Sequence, residues 1–265
     1  MTQEEMNRLV PQKLVELEKQ HDIRVLLAVE SGSRAWGFAS PDSDFDVRFI
    51  YVHRPEFYLQ LQGHRDVLEE PVDDTWDISG WDLDKTLRLL WKSNPTLFEW
   101  FHSPIVYRKT GFCQRIQPLL KEFFSVKSEL YHYLNTARHH IKDYLQGETV
   151  RPKKYFYALR PILACRWVLD RKTPPPVLFS ELAVAELPAG LVPSVERLLD
   201  LKRSSPEKLE IPPIREINRY LNESVEELAA VMTQLPEDTH RDWALLNQFF
   251  LDEITGVTAS AEPDN

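Results

Sequence analysis

The periodicity of hydrophobic residues differs between the two halves of this chain, and the change falls near residue 125. A nearly continuous apolar run from Ile23 to Val29, rich in β-branched residues, predicts a strand that is buried on both faces. The run from Val47 to Val52 predicts the next strand, because a turn-rich stretch at 39–43 separates the two. A third strand is predicted from Val72 to Ile78.

Helical signals flank these strands. The chain opens with Thr2 to Glu5, which resembles a capping box, and the leucines that follow predict a helix that is interrupted or restarted at Pro11. After the third strand, Asp82 is placed to cap a helix, and Asn94-Pro95 has the residue types that begin another. The first half therefore predicts an α/β or α+β domain.

Strand-type alternation disappears after this half, and spacing typical of helices takes its place. Helical periodicity covers residues 128–146, 153–171, 193–203, 213–234 and 240–254, and prolines break the helices between them. The pattern predicts an α+β domain over residues 1–125, an all-helical domain over 126–255 and a disordered tail over 256–265.

Composition narrows the class of protein. With 43% hydrophobic and 28% charged residues in 265, the chain can bury a core, and a formal charge of −9 excludes a general basic coat for long nucleic acid. Only two cysteines are present, and no apolar run approaches the roughly 20 residues of a membrane span. We therefore expect a cytoplasmic protein that has no membrane partner.

Candidate chemistry lies where the first two predicted strands meet their turns. Gly32, which has no Cβ, lets phosphate oxygens approach the backbone, and the Ser33 hydroxyl can donate to them, although an ordinary tight turn is the alternative. Asp44 and Asp46 are two residues apart at the start of a strand, so their carboxylates share one face. Mg²⁺ would offset this paired charge; an exposed strand face is the alternative. Their conjunction favours a phosphate and metal site.

The motifs resemble a known superfamily. Ser31-Gly32-Ser33, ten intervening residues and Asp44-Phe45-Asp46-Val47 are similar to the DNA polymerase β nucleotidyltransferases. Closest in pattern are predicted nucleotidyltransferases that include RNA-ligase-associated proteins, on the segments Gly32–Gly37, Ser43–Arg48, Gly80–Leu83 and Ser93–Trp100. The resemblance implies a mixed sheet with flanking helices, two divalent ions (Mg²⁺, with Mn²⁺ as a substitute), and transfer of a nucleotidyl group from an NTP with release of pyrophosphate.

The same resemblance implies a third carboxylate on a later strand, between two apolar residues. Asp77, within Trp76-Asp77-Ile78, fits this description, and it would hold metal with Asp44 and Asp46 and help to remove the acceptor proton. Asp74 and Asp82 are competitors, although a helix-capping role suits Asp82 better. Glu99 lies on a predicted helix, and the same caution applies to it.

Other residues are candidates for binding the nucleotide. Arg34 follows the glycine turn and could contact phosphate, with a surface ion pair as the alternative. The segment from Arg138 to Lys172 contains nine Lys or Arg residues and three Asp or Glu residues, which gives a local charge of +6. Within this basic region, Lys153, Tyr157 and Arg160 share a helix face that could close over a triphosphate, if the helix is not kinked or split at Pro161. A solvated basic surface is the alternative.

The leading hypothesis is therefore a Mg²⁺-dependent nucleotidyltransferase with an NTP as substrate. The acceptor is an RNA end, a protein side chain or a small hydroxylated molecule, and the family association with RNA repair favours RNA. A non-catalytic nucleotide-binding module is the first alternative. A toxin-antitoxin or defence component that modifies RNA or protein is the second. No pattern indicates an oligomeric state.

Overall fold

The computed structural model describes residues 2–40, 43–71, 76–205, 208–236 and 242–259. A five-stranded sheet occupies the first half, with strand order β3-β4-β2-β1-β5. Strands β2 and β4 are parallel and the other neighbours are antiparallel, so the sheet is mixed. The strands are β1 (Ile23–Glu30), β2 (Phe45–His53), β3 (Val67–Glu69), β4 (Trp76–Asp82) and β5 (Val106–Lys109).

Helices flank this sheet and make up the rest of the described chain. In the first half they are α1 (Gln3–His21), α2 (Gly32–Ala35), α3 (Pro55–Tyr58), α4 (Leu83–Trp91), α5 (Pro95–Phe101), α6 (Phe112–Arg115) and α7 (Gln117–Glu122). The second half contains α8 (Val126–Tyr144), α9 (Pro152–Arg171), α10 (Phe179–Glu186), α11 (Val192–Ser204), α12 (Arg215–Met232) and α13 (Trp243–Ala259). The predicted mixed sheet with flanking helices, followed by a helical half, is confirmed.

Helix α1 covers one face of the sheet. Its capping box is present, since the Thr2 hydroxyl accepts from the Glu5 N–H and the Glu5 carboxylate accepts from the Thr2 N–H. The predicted interruption at Pro11 is wrong: the helix is continuous, with Met6, Val10, Leu14 and Leu17 buried against the sheet. A proline removes only one backbone hydrogen bond, and burial of this apolar face offsets its loss.

The opposite face of the sheet packs against α4 to α7 and against α13. Residues of β1 and β2 share this core with Leu83, Leu87 and Leu90 of α4. Leu246 and Ile254 of α13 belong to the same core, so the last helix packs on the first half of the chain. Helix α13 runs to Ala259 and therefore includes the first four residues of the predicted disordered tail, 256–259; residues 260–265 lie outside the described ranges.

A second core lies inside the helical half. Helices α8 and α9 are its centre, and α10, α11 and α12 pack around them. The α9 helix continues through Pro161, so a split of the helix at this proline, one of the two predicted effects, is wrong. Phe38, from the segment before β2, stacks on Phe156 of α9 with ring centroids 4.9 Å apart. This contact ties the two halves together beside the glycine turn.

Three strand features differ from the expectations. The sequence reasoning missed β3 and β5, which are short and carry the charged residues usual at sheet edges. The third predicted strand starts later than expected: β4 begins at Trp76, and residues 72–75 lie outside the described part of the chain.

Asp82 caps α4 by accepting from the Asp84 N–H, as predicted. No described helix is long and apolar enough to cross a membrane.

Candidate active site

The turn after β1 is fitted closely against the start of β2. Gly32 has φ +61°, a left-handed conformation that favours glycine. A Cβ at this position would lie 2.1 Å from Oδ2 of Asp46. The Ser31 N–H also donates to the Asp46 carbonyl at 2.8 Å. Glycine is therefore required at Gly32 both by its backbone angle and by the carboxylate that faces it.

Two of the three predicted carboxylates are brought side by side by strand pairing. Asp46 of β2 is directly opposite Asp77 of β4 in the parallel register. In β2, Phe45 and Val47 are buried on one face of the sheet, so Asp46 between them points to the other face. Its neighbour Asp77 lies on the same face. Asp44 lies just before β2 and is exposed, two residues from Asp46. The aspartates thus share one edge of the sheet.

Arg48 lies between the paired carboxylates, and the sequence reasoning did not select it. Its Nη2 donates to Oδ1 of Asp46 at 3.0 Å and to Oδ2 of Asp77 at 2.6 Å. Its Nη1 donates to the Asp77 carbonyl at 2.8 Å. The signal was available, because Arg48 is two residues after Asp46 and so shares its face of the strand. Its charge offsets the repulsion between the two carboxylates.

Burial is the main reason that the pKa of Asp46 is raised above its usual value. Arg48 opposes this shift, while the charges of Asp77 and Asp44 add to it. In the described ranges, no three His, Cys, Asp or Glu side chains converge closely enough to hold a metal ion. The carboxylates of Asp46 and Asp77 are nonetheless hard oxygen donors on one accessible edge, of the kind that suits Mg²⁺ when phosphate supplies further ligands.

Glu30, at the end of β1, supports Asp46 from behind. Its carboxylate is fully buried, accepts from the Asp46 N–H at 2.8 Å and accepts from the Tyr107 hydroxyl. Burial raises the pKa of Glu30 to about 7, although both hydrogen bonds act to lower it. The sequence analysis did not identify Glu30. Its contact partner Tyr107 lies on β5, a strand that the pattern did not predict.

A cavity of about 330 Å³ opens in front of Asp46 and is closed by the helical half. Asp44 and Asp77 are not among the described residues that line it. Residues from both halves line it: Ser31, Gly32, Trp36, Asp46, Arg48, Thr96, Glu99, His132, Tyr133, Thr136, Tyr157, Arg160 and Pro161. The structure therefore brings Gly32 and Asp46 together with Tyr157 and Arg160, which come from different halves of the sequence.

Arg160 faces the acidic edge across this cavity. Its side chain is 3% exposed, and Nη1 donates to Oε1 of Glu99 at 2.7 Å. Glu99 also accepts from the Tyr133 hydroxyl at 3.0 Å and from the Trp36 indole N–H at 3.2 Å. Nη2 of Arg160 is buried and has no hydrogen-bond partner. The guanidinium also lies over the Trp36 ring, with Cζ 4.6 Å from the ring centroid, and its unpaired N–H is a donor that an anionic ligand could satisfy.

Several predicted site residues have other positions. Arg34 donates to the carbonyls of Ser43 and Asp44 at 2.6 and 3.1 Å, and its guanidinium lies 3.7 Å from the centroid of the Phe45 ring. Ser33 is buried, and neither Ser33 nor Lys153 is among the described residues that line the cavity. Arg34 therefore holds the segment before β2.

The competitors for the third carboxylate are separated from the site. Asp82 pairs with Tyr51, five residues further along the strands than the Asp46–Asp77 pair. It is fully buried, and its Oδ1 accepts from the Tyr58 hydroxyl at 2.9 Å. Asp74 lies outside the described residues. Of the two described alternatives, only Asp77 is next to Asp46.

Comparison with known proteins identifies the family. The model of the family RlaP, described as "RNA repair pathway DNA polymerase beta family", matches residues 6–252. The chain belongs to the RlaP family. The uncharacterized protein YcgL of Bacillus subtilis (strain 168) is 43% identical to this chain over 256 residues, which cover 95% of this chain and 98% of that protein.

The RlaP match confirms the predicted membership of the polymerase-β-type nucleotidyltransferases, whose substrates include a nucleotide. A nucleotidyltransferase-like protein from Exiguobacterium sibiricum 255-15, solved at 1.90 Å, aligns over 86% of this chain and 75% of its own. Its TM-score of 0.31 and 13% identity are too low to establish a common fold.

Proposed function

We propose that this RlaP member transfers an NMP group from an NTP to an acceptor hydroxyl and releases pyrophosphate. The observation that carries the proposal is the cavity between Asp46 and Arg160. Its acidic edge is suited to metal, and its opposite wall offers a buried, unpaired Nη2 of Arg160. Arg48 and Arg160 are already paired with Asp46 and Glu99, so divalent cations would supply the further positive charge that a triphosphate in this cavity requires.

Asp44, Asp46 and Asp77 would hold Mg²⁺, or Mn²⁺ in its place. Such ions, two of them in the superfamily scheme, neutralise charge on the α-phosphate and make the acceptor hydroxyl easier to deprotonate. The missing Cβ of Gly32 leaves room for the Asp46 carboxylate, which keeps this metal ligand at the edge of the cavity. Arg48 donates to both Asp46 and Asp77, so metal binding at these carboxylates would require its guanidinium to give up the two hydrogen bonds.

The remaining chain residues position the substrate. Nη2 of Arg160 donates to phosphate, while Glu99 fixes the other end of the guanidinium through Nη1. Tyr157 and Trp36, whose rings meet edge to face at 5.3 Å, form an aromatic wall for the base or ribose. The acceptor oxygen bonds to the α-phosphorus, Asp77 accepts its proton, and the bond from the α-phosphorus to the pyrophosphate oxygen breaks.

An RNA end is the acceptor that we favour, since the family is described by an RNA repair pathway. A protein side chain or a small hydroxylated molecule would require the same chemistry at Asp46 and Asp77. A non-catalytic nucleotide-binding module is the competing proposal, and a defence component would share the chemistry with a different acceptor. Metal-dependent NTP binding without pyrophosphate release would favour the non-catalytic module over nucleotidyl transfer.

The test is label transfer from each α-³²P NTP, with Mg²⁺ or Mn²⁺, to RNA, protein and metabolite fractions. Asp44→Ala/Asp46→Ala removes two of the proposed metal ligands and should abolish transfer. Asp200→Ala is the matched control, because Asp200 is an exposed aspartate on α11 and does not line the cavity. Label that survives in the double variant would overturn the proposed site; no transfer by wild type despite NTP binding would favour the non-catalytic module.

A further inference from the structure

A second cavity, of about 570 Å³, lies beside the candidate active site. It is lined by Lys92, Ser93, Asn94, Pro95, Lys127, Ser128, Tyr131, His132, Met232 and Thr233. His132 lines both cavities. The proposed nucleotidyl transfer assigns no role to the second cavity.

The two cavities follow the same pair of helices. The N-terminal end of α5, at Asn94 and Pro95, lines the second cavity, while Thr96 and Glu99 of the same segment line the first. Helix α8 contributes in the same order, from Ser128 in the second cavity to Thr136 in the first. Eight residues of helix span about 12 Å. Because His132 lines both cavities, they adjoin one another, and Asp46 lines the first of them.

The lining of the second cavity is cationic. Lys92 and Lys127 contribute two positive charges, and no carboxylate is present among its described lining residues. Lys92 is exposed and has no ion pair within the described part of the chain, whereas Lys127 lies 3.5 Å from the Leu235 carbonyl. In a chain of net charge −9, this local excess marks a surface that attracts a polyanion.

An aromatic ring is available beside these charges. Tyr131 is 59% exposed and lines the cavity, and no described ring stacks on it. An exposed, unstacked ring next to lysines is the arrangement by which proteins bind single-stranded nucleic acid, since bases stack on the ring while cations follow the backbone.

We infer that the second cavity binds a single-stranded polynucleotide whose terminal hydroxyl enters the first cavity as the acceptor. The inference rests on the proposed nucleotidyl transfer and narrows its acceptor to a nucleic acid strand. One base stacks on Tyr131, the adjoining phosphates lie near Lys92 and Lys127, and the strand end passes His132.

The test is binding of a short, fluorescein-labelled single-stranded RNA without NTP, measured by anisotropy over a range of salt concentrations. Tyr131→Ala should weaken binding about tenfold, and Tyr131→Phe, which keeps the ring, should bind as wild type does. Lys92→Ala should reduce the slope of log K against log salt by about 0.7, the value for one lost phosphate contact on a single strand. Lys142→Ala, an exposed lysine at the far end of α8, is the matched control and should change neither quantity.

The outcomes separate this inference from the proposed function. If wild type labels RNA while Tyr131→Ala and Lys92→Ala bind it unchanged, the strand site is overturned and nucleotidyl transfer stands. If no fraction is labelled but Tyr131→Ala and Lys92→Ala lose RNA binding as expected, the strand site stands and the proposed function fails. A single-stranded DNA of the same sequence distinguishes the two sources of strand: equal binding supports a general strand site, and weaker binding identifies RNA. Binding of neither strand by wild type overturns the inference.

Discussion

Substituting Gly32 with alanine tests whether the turn after β1 sets the position of the metal-binding carboxylate. The new Cβ would lie 2.1 Å from Oδ2 of Asp46, whereas ordinary contacts begin at 3.4 Å. The Asp46 carboxylate must therefore retreat by about 1.3 Å, the difference between these two distances. A misplacement of about 1 Å in a catalytic group costs roughly 100-fold in rate. We expect Gly32→Ala to lower nucleotidyl transfer by roughly that factor.

The decrease in unfolding free energy should be smaller than the increase in activation free energy that corresponds to this loss of rate. An alanine at φ +61° adopts a left-handed conformation, which costs about 1–2 kcal/mol in the free energy of unfolding. Chemical denaturation would measure this loss, and label transfer from α-³²P NTP would measure the rate. Gly63→Ala is the matched control, because no atom lies within 4 Å of a Cβ at Gly63. Near-normal transfer by Gly32→Ala would refute the argument that this glycine positions Asp46.

Two further substitutions test the buried charged groups. Because burial raises the pKa of Glu30 to about 7, the folded protein holds a proton that the unfolded chain releases above its ordinary pKa of 4.5, so stability falls as pH rises through this window. Glu30→Gln replaces the titrating carboxyl with an amide that does not titrate. The unfolding free energy of the variant, relative to that of wild type, should therefore rise by about 3 kcal/mol between pH 4.5 and 8 in urea titrations. A difference that does not change with pH would contradict this expectation. Arg160→Lys keeps the charge but loses the planar fork, so the Kd for NTP should rise about tenfold by equilibrium binding. An unchanged Kd would show that Nη2 of Arg160 does not contact the nucleotide.

The acidic edge of the site could be predicted from sequence because its signals are local. The glycine turn and the aspartates of β2 lie within 15 residues, from Gly32 to Asp46, and the alternation of β2 fixes which side chains share a face. Asp77 was chosen by resemblance rather than by spacing, and its pairing with Asp46 depends on the parallel register of β2 and β4. That register is a tertiary property, which no local pattern contains.

The other wall of the cavity could not be derived in the same way. Glu99 and Arg160 are 61 residues apart, and only the packing of α5 against α8 and α9 brings them together. Helical spacing correctly grouped Tyr157 with Arg160, but it also included Lys153, which does not line the cavity. Helical periodicity gives the relative directions of side chains and not the direction that faces a neighbouring domain.

The position of α13 has a consequence for the order in which this chain folds. Leu246 and Ile254 complete the core beneath the sheet, and the nearly buried Glu253 pairs with Arg115 across 138 residues of sequence. Contacts between residues so far apart in sequence raise the contact order and slow folding. During synthesis the sheet therefore emerges from the ribosome well before its last core residues do. The first half of this chain reaches its native packing only when nearly all of the polypeptide has been made.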